Sequence, residues 1–319
     1  MTTLHLSKKT LFRLLNYRPH PGQVLVHRST ASRRILACGA RWGKSTLGAM
    51  EAVAALMQPK DASIGWLVAP NFDVTGRIFE PVVQTLERHF PHHIRAISPR
   101  ERKIVVTNLG GGVSELRAKS GDTPNSLLGA GLDWLVVDEA ARLRPEIWSA
   151  YLSQRLIDRR GWALLISTPN GCNWFRELFK RGQGGRDSDF ESWSSPSWDN
   201  PHVPRALIEA ERARVGPEVF DQEFGGKFAG EEDEPCELCL GPTEGVGRLL
   251  MLGDDEPIPT CKLCGEAVDH QGRSIVMKRP HRPYPTGLTR VCTAPGDEHL
   301  LEQIKRDFNA PALEAVAGA

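Results

Sequence analysis

Residues 37–48, ACGARWGKSTLG, bring a lysine, an arginine, two hydroxyls and glycines into one short segment. In the pattern GxxxxGK[ST], backbone N–H groups at a helix start wrap a phosphate chain. The lysine reaches its outer phosphates and the hydroxyl ligates Mg²⁺. Here Lys44 and Ser45 fill the last two places, Cys38 stands where the pattern opens with glycine, and Gly39 follows it. The candidate nucleotide-binding segment comprises Cys38, Gly39, Ala40, Arg41, Trp42, Gly43, Lys44, Ser45 and Thr46.

A second chemical set lies in LDWLVVDEAARL, residues 132–143. An apolar run ending in Asp138-Glu139 suits an aspartate that holds magnesium, expected at the carboxyl end of a strand beside the loop strand, where ligands bind in open α/β sheets. The adjoining glutamate is placed to polarise an attacking water. A third set, LLISTPNG at 164–171, ends an apolar run in Ser167 and Thr168. Hydroxyls there are suited to sensing a terminal phosphate and coupling its loss to movement, and Pro169 bars further strand pairing. Upstream, the Gln23 amide offers both donor and acceptor, which matches the edge of adenine.

Cys236-x2-Cys239 and Cys261-x2-Cys264 have the spacing of two knuckles that complete a tetrahedral four-thiolate zinc site of structural type. Cys292 is a spare ligand, whereas Cys38 and Cys172 read as packed or loop thiols. Residues 270–290 carry five Lys or Arg and no Asp or Glu, which suits a phosphate backbone or a protein partner.

These side chains need elements to position them. RRILAC (33–38), IGWLVA (64–69), LDWLVV (132–137) and WALLIS (162–167) read as strands buried on both faces. Helical patterns follow at 46–57 and 73–89, and KIVVT and VSELRA flank a triple glycine as a hairpin. Alternation of this kind predicts a mostly parallel sheet flanked by helices. A helix is also expected at 298–308. The domain reading is 1–230 for the nucleotide-binding unit, 231–295 for the cysteine module with its basic loop, and 296–319 for a short helical tail.

Bulk composition bounds the rest. The 319 residues are 40% hydrophobic and 25% charged with a formal net charge of +1, ordinary values for a globular chain. So balanced a charge leaves any nucleic-acid contact to a local patch. No run is apolar enough to span a bilayer and no secretory pattern opens the chain, so a cytoplasmic location, with no membrane partner, is expected.

The ordered set of motifs resembles the ATPase domain of tailed-phage terminase large subunits. It runs from RPHPGQ and CGARWGKST through WLVAPNF, LDWLVVDEAARL and GWALLISTPNGCNWF to SWDNPHVP and FDQEFGGKF, or about Tyr17 to Phe228. The resemblance implies an ASCE-type P-loop NTPase fold, Mg-ATP as fuel, and a motor that drives double-stranded DNA into a prohead. Its implied partners are the portal protein, the small terminase subunit and further copies in a ring. It implies that Gln23 reads adenine, Arg41 and Lys44 bind phosphates, Ser45 and Asp138 hold Mg²⁺, Glu139 is the catalytic base, and Ser167 and Thr168 couple hydrolysis to movement. Loops of this family commonly lack the first glycine and carry an inner arginine.

Two departures stand out. The family's S-L-R-G arginine is Leu128 here, with Arg117, Arg142 and Arg144 as substitutes that the sequence does not rank. After residue 228 the expected RNase H-like nuclease gives way to the cysteine module, so DNA cleavage is expected to be absent or to reside on another chain. The competing readings are a helicase-like ATPase, echoed by DEAA and STP, and a non-enzymatic zinc-ribbon adaptor on a residual P-loop fold.

Overall fold

The computed structural model describes residues 7–129, 131–184 and 187–228, with strands Val246–Leu250, Pro257–Cys261, Arg290–Thr293 and Glu314–Ala317. The chain forms two compact units, Met1–Gly230 and Glu231–Ala319.

The first unit opens with α1 (Lys8–Leu14) and α2 (Pro21–Arg28). Pro21 takes the first helical position, where a missing N–H costs nothing. The Gln23 side chain closes the same end by accepting from the His20 N–H. Next come β1 (Arg33–Cys38), α3 (Lys44–Met57), β2 (Ala62–Ala69) and α4 (Phe72–His89). Asn71 starts α4 by accepting from the Val74 N–H. Strands β3 (Ile94–Ser98), β4 (Lys103–Thr107), β5 (Val113–Ser120), β6 (Trp134–Asp138) and β7 (Trp162–Ser167) follow. The unit closes with α5 (Trp174–Arg181), β8 (Phe190–Ser195), α6 (Arg205–Val215) and α7 (Pro217–Glu223).

The eight strands lie in the order β3-β4-β5-β2-β6-β7-β1-β8. From β5 to β8 all pairings are parallel, and β3-β4-β5 forms an antiparallel edge that contains the anticipated hairpin. Alternation along β1 feeds both faces of the sheet. Leu36 and Cys38 join the core under α3, with Leu47, Val53 and Leu56, while Ile35 and Ala37 join the opposite core with Leu165 and Phe175. Full burial of side chains such as Leu47 or Leu56 stabilises the fold by about 1.5–3 kcal/mol each.

One expectation is corrected here. The Asp138 strand does not lie beside the loop strand: β7 is inserted between β1 and β6. The parallel ladder pairs Ala37 with Ser167 and Asp138 with Ile166, so the Ser167-Thr168 hydroxyls emerge between the two motifs.

In the second unit, Val246–Leu250 (β9) pairs antiparallel with Pro257–Cys261 (β10), and Arg290–Thr293 (β11) pairs parallel with Glu314–Ala317 (β12). Strand β12 falls within the segment read as a helical tail, and the expected helix at 298–308 lies outside the described residues. Cys236, Cys239 and Cys264 also lie outside them, and Cys261 is described only as the backbone end of β10. Among the described residues no helix is long and apolar enough to cross a membrane.

Candidate nucleotide site

The loop between β1 and α3 turns on two left-handed residues, Arg41 at φ 61° and Gly43 at φ 102°. Glycine adopts that region without a steric cost; arginine does not. The position that admits no side chain is Gly39, where an added Cβ would collide with the Phe224 carbonyl and the Ser197 side chain. Cys38 ends β1 with its thiol buried in the core under α3, and burial pushes its pKa far above the ordinary thiol range. The steric demand for glycine has moved one residue along the chain, which is why Cys38 is tolerated.

Segments distant in sequence brace this loop. The Gly39 N–H donates to Ser195 O (3.0 Å) and the Ala40 N–H to Glu223 O (2.6 Å). Ser197 Oγ donates to Ala40 O (2.5 Å) and Asn200 Nδ2 to Arg41 O (2.7 Å). From α2, Gln23 Nε2 donates to Gly43 O (3.1 Å). Trp42 is buried edge-on against His20 at 4.5 Å and therefore packs inward. Arg41 and Thr46 are exposed at the loop.

Lys44 is 8% exposed and its ammonium donates to Cys38 O (2.6 Å), Gly39 O (2.9 Å) and Thr168 Oγ1 (3.0 Å). Beside it, Ser45 Oγ donates to Asp138 Oδ2 across 3.2 Å. The ends of β1, β6 and β7 thus converge on one spot. Burial, against the pull of nearby acids, holds the Lys44 pKa below its usual value. Burial and the neighbouring Glu139 push Asp138 up to about 6. A hydroxyl and a carboxylate at this distance are a hard-oxygen donor pair of the kind Mg²⁺ takes alongside phosphate oxygens.

Glu139 adopts a left-handed φ of 49°, a strained conformation for a non-glycine residue. Its Oε2 is buried without a hydrogen bond. Two arginines stand near its carboxylate: Arg77 of α4 at 3.8 Å and Arg142 at 3.6 Å. Of the other candidate arginines, Arg117 pairs with Glu115 and Arg144 with Glu146. Leu128 is exposed.

The turn after Glu139 is held by the segment that follows β7. Asn173 caps α5 and donates to Ala141 O (2.8 Å), while Trp174 Nε1 donates to Leu143 O (2.8 Å). Gln222 Oε1 accepts from the Gly171 N–H at 3.0 Å, so α7 touches both this segment and the P-loop. Sequence reasoning misses Arg77, Ser197, Asn200 and Gln222 as site residues. The DNP and QEF tripeptides stand out in the sequence only as markers, and Arg77 sits in no motif.

No family model matches the chain. Among solved structures, the large terminase ATPase domain of Thermus phage P74-26 matches with a TM-score of 0.63 and 36% identity, over 70% of this chain and 98% of that one. The terminase large subunit of Thermus phage G20c is 36% identical over 282 residues, covering 77% of this chain and 57% of that protein. The chain belongs to the phage terminase large-subunit family. This terminase chain spans a little over half the length of the curated relative it matches. The large terminase of a thermophilic bacteriophage, solved in complex with ADP, shares the fold, with a TM-score of 0.56 at 15% identity over 66% of this chain and 54% of that one.

Proposed function

We propose that the first unit is the ATP-hydrolysing part of a viral DNA-packaging motor, which couples Mg-ATP hydrolysis to movement of double-stranded DNA into a prohead. The observation that carries this reading is the convergence of Lys44, Ser45, Asp138 and Thr168 at the ends of three strands in a terminase ATPase-domain fold. In this reading Lys44 leaves its loop carbonyls for the outer phosphates, joined by Arg41. Ser45 and Asp138 hold magnesium, which supplies charge neutralisation on the phosphate oxygens. Glu139, strained and with one oxygen buried without a hydrogen bond, orients the attacking water as catalytic base. Thr168, released by Lys44, and its neighbour Ser167 report the change along β7, and Gln23 faces the adenine.

The partners in this reading are double-stranded DNA, the portal protein, the small terminase subunit, a separate nuclease chain and further copies of the chain in a ring. The cysteine pairs support a structural zinc in the second unit, with Cys236, Cys239, Cys261 and Cys264 as ligands. Zinc content near one per chain, lost in a Cys236→Ser/Cys264→Ser variant, is the expected result.

ATP hydrolysis by the purified protein with Mg²⁺, portal and DNA tests the main reading. Absence of both ATP binding and turnover in that mixture would overturn it in favour of a non-enzymatic adaptor.

A further inference from the structure

Arg41 occupies the third position of a four-residue turn, closed by the Trp42 N–H on Gly39 O at 3.3 Å. Its φ is 61°, while Ala40 before it is not left-handed. That is the pattern of a type II turn, whose third position ordinarily goes to glycine. An arginine there is strained, and such strain persists only where the surroundings fix the backbone around the residue.

Two side chains from the segment after β8 do that fixing. Peptide units are planar, so φ of Arg41 is set by how the Ala40–Arg41 plane is turned and ψ by how the Arg41–Trp42 plane is turned. Ser197 Oγ donates to Ala40 O (2.5 Å) and Asn200 Nδ2 to Arg41 O (2.7 Å), one bond on each plane. The Asn200 oxygen accepts from the His202 N–H (3.0 Å), which determines the end of the amide that faces Arg41 O. Ser197 and Asn200 are both buried, so water does not readily replace either bond. A Cβ on Gly39 would stand 2.5 Å from Ser197 Oγ, and its absence is what lets the serine approach.

The other end of Arg41 is held differently. The side chain is exposed, and no hydrogen bond or ion pair to the described residues engages its guanidinium. Its backbone is therefore pinned on both sides while its charge stays available to a ligand.

We propose that Ser197 and Asn200 are positioning residues for Arg41. By holding its two flanking peptide planes they keep it left-handed, and so aim its guanidinium at the phosphates of the bound nucleotide. This rests on the reading above in which Arg41 binds those phosphates. With either bond removed, the plane it held turns, the backbone relaxes toward the ordinary negative φ range, and Cβ swings away with it. Both residues belong to SWDNPHVP, which stands out in the sequence as a marker without a chemical task. Holding the arginine in a place suited to glycine is that task.

The test is a double-mutant cycle on the affinity of the full chain for ATP with Mg²⁺, using Asn200→Ala and Arg41→Ala singly and together. Each single variant should bind ATP about tenfold more weakly than wild type. The double variant should match Arg41→Ala alone within about twofold, because Asn200 acts through that side chain. Ser197→Ala, crossed with Arg41→Ala in the same way, should show the same coupling at the other peptide plane. It carries the test by itself should Asn200→Ala fail to fold. A general loss of loop order would weaken binding by the same factor with or without the Arg41 side chain, and effects that multiply in this way would overturn the proposal. Wild-type affinity in either Asn200→Ala or Ser197→Ala, with Arg41→Ala weakened, would overturn it too and leave the phosphate role of Arg41 standing. If Arg41→Ala itself binds ATP as wild type does, Arg41 does not reach the phosphates, and the underlying reading fails with the proposal.

Discussion

The Ser45 hydroxyl and the Asp138 carboxylate meet at 3.2 Å although their strands are separated by β7. The burial that goes with this meeting, and the neighbouring Glu139, have a stability cost that the Ser45 hydrogen bond only partly offsets. Asp138 is raised from 3.8 to about 6, so the folded protein binds its proton more tightly than the unfolded chain does. Stability contributed by this group is present below about pH 4 and lost as pH rises through about 6. Asp138→Asn should therefore stabilise the ligand-free protein at pH 7.5 by about 2 kcal/mol, read as a rise of a few degrees in melting temperature. The same variant should lose magnesium-dependent nucleotide affinity. A melting temperature at or below wild type would show that Asp138 is not strained by its burial.

Glu139→Gln keeps the size and polarity of the side chain but removes the carboxylate proposed as the base. ATP binding should persist within about threefold, while turnover falls by about 100-fold to 10,000-fold. Single-turnover hydrolysis at a wild-type rate in the variant would assign the base elsewhere.

Glu51 gives the opposite pH behaviour from Asp138. Its pKa is lowered, despite the opposing effect of burial, by Arg34, the His27 hydrogen bond and Lys8. Its stabilisation is present above about pH 4.5 and declines as pH falls below that value. Glu51→Gln leaves the Arg34 guanidinium, 3% exposed, without its counter-ion and should destabilise the unit by about 3–5 kcal/mol in denaturant melts. A change under about 1 kcal/mol would mean that the cluster contributes little to folding.

Cys38 and Gly39 should respond in opposite ways. Cys38→Ala removes one buried sulfur, with a loss of about 1–2 kcal/mol in stability and little change in ATP affinity. Gly39→Ala drives a methyl group into Phe224 and Ser197 and should weaken ATP binding at least tenfold. Comparable ATP affinities for the two variants would return the role of the missing glycine to Cys38.

Legibility in the sequence followed burial. Strands β1, β2, β6 and β7 are apolar almost throughout because both faces are covered, and their composition announces them. Strand β8, FESWSS, lies at the sheet edge with mixed burial, and its Ser192 and Ser194 hydroxyls donate to Phe179 O of α5 and to Gly226 O, so no apolar run marks it. Strand β3 is exposed or half-buried along its length and escapes for the same reason. Lys44, Ser45, Asp138 and Glu139 were readable because each belongs to a local pattern. Arg77, Asn200 and Gln222 reach the site only through tertiary folding, from α4, from the turn after β8, and from α7. Gln23 was legible by type, but the share of its amide already taken by His20 and Gly43 is visible only in three dimensions.

Glu223 O accepts from the Ala40 N–H of the loop and Phe224 O from the Ser197 N–H, both within five residues of Phe228. Residues 224–228 thus leave α7 right beside the candidate nucleotide loop. A shift of Ala40 passes straight to Glu223 and the residues that follow it up to Phe228, with no intervening helix to absorb it.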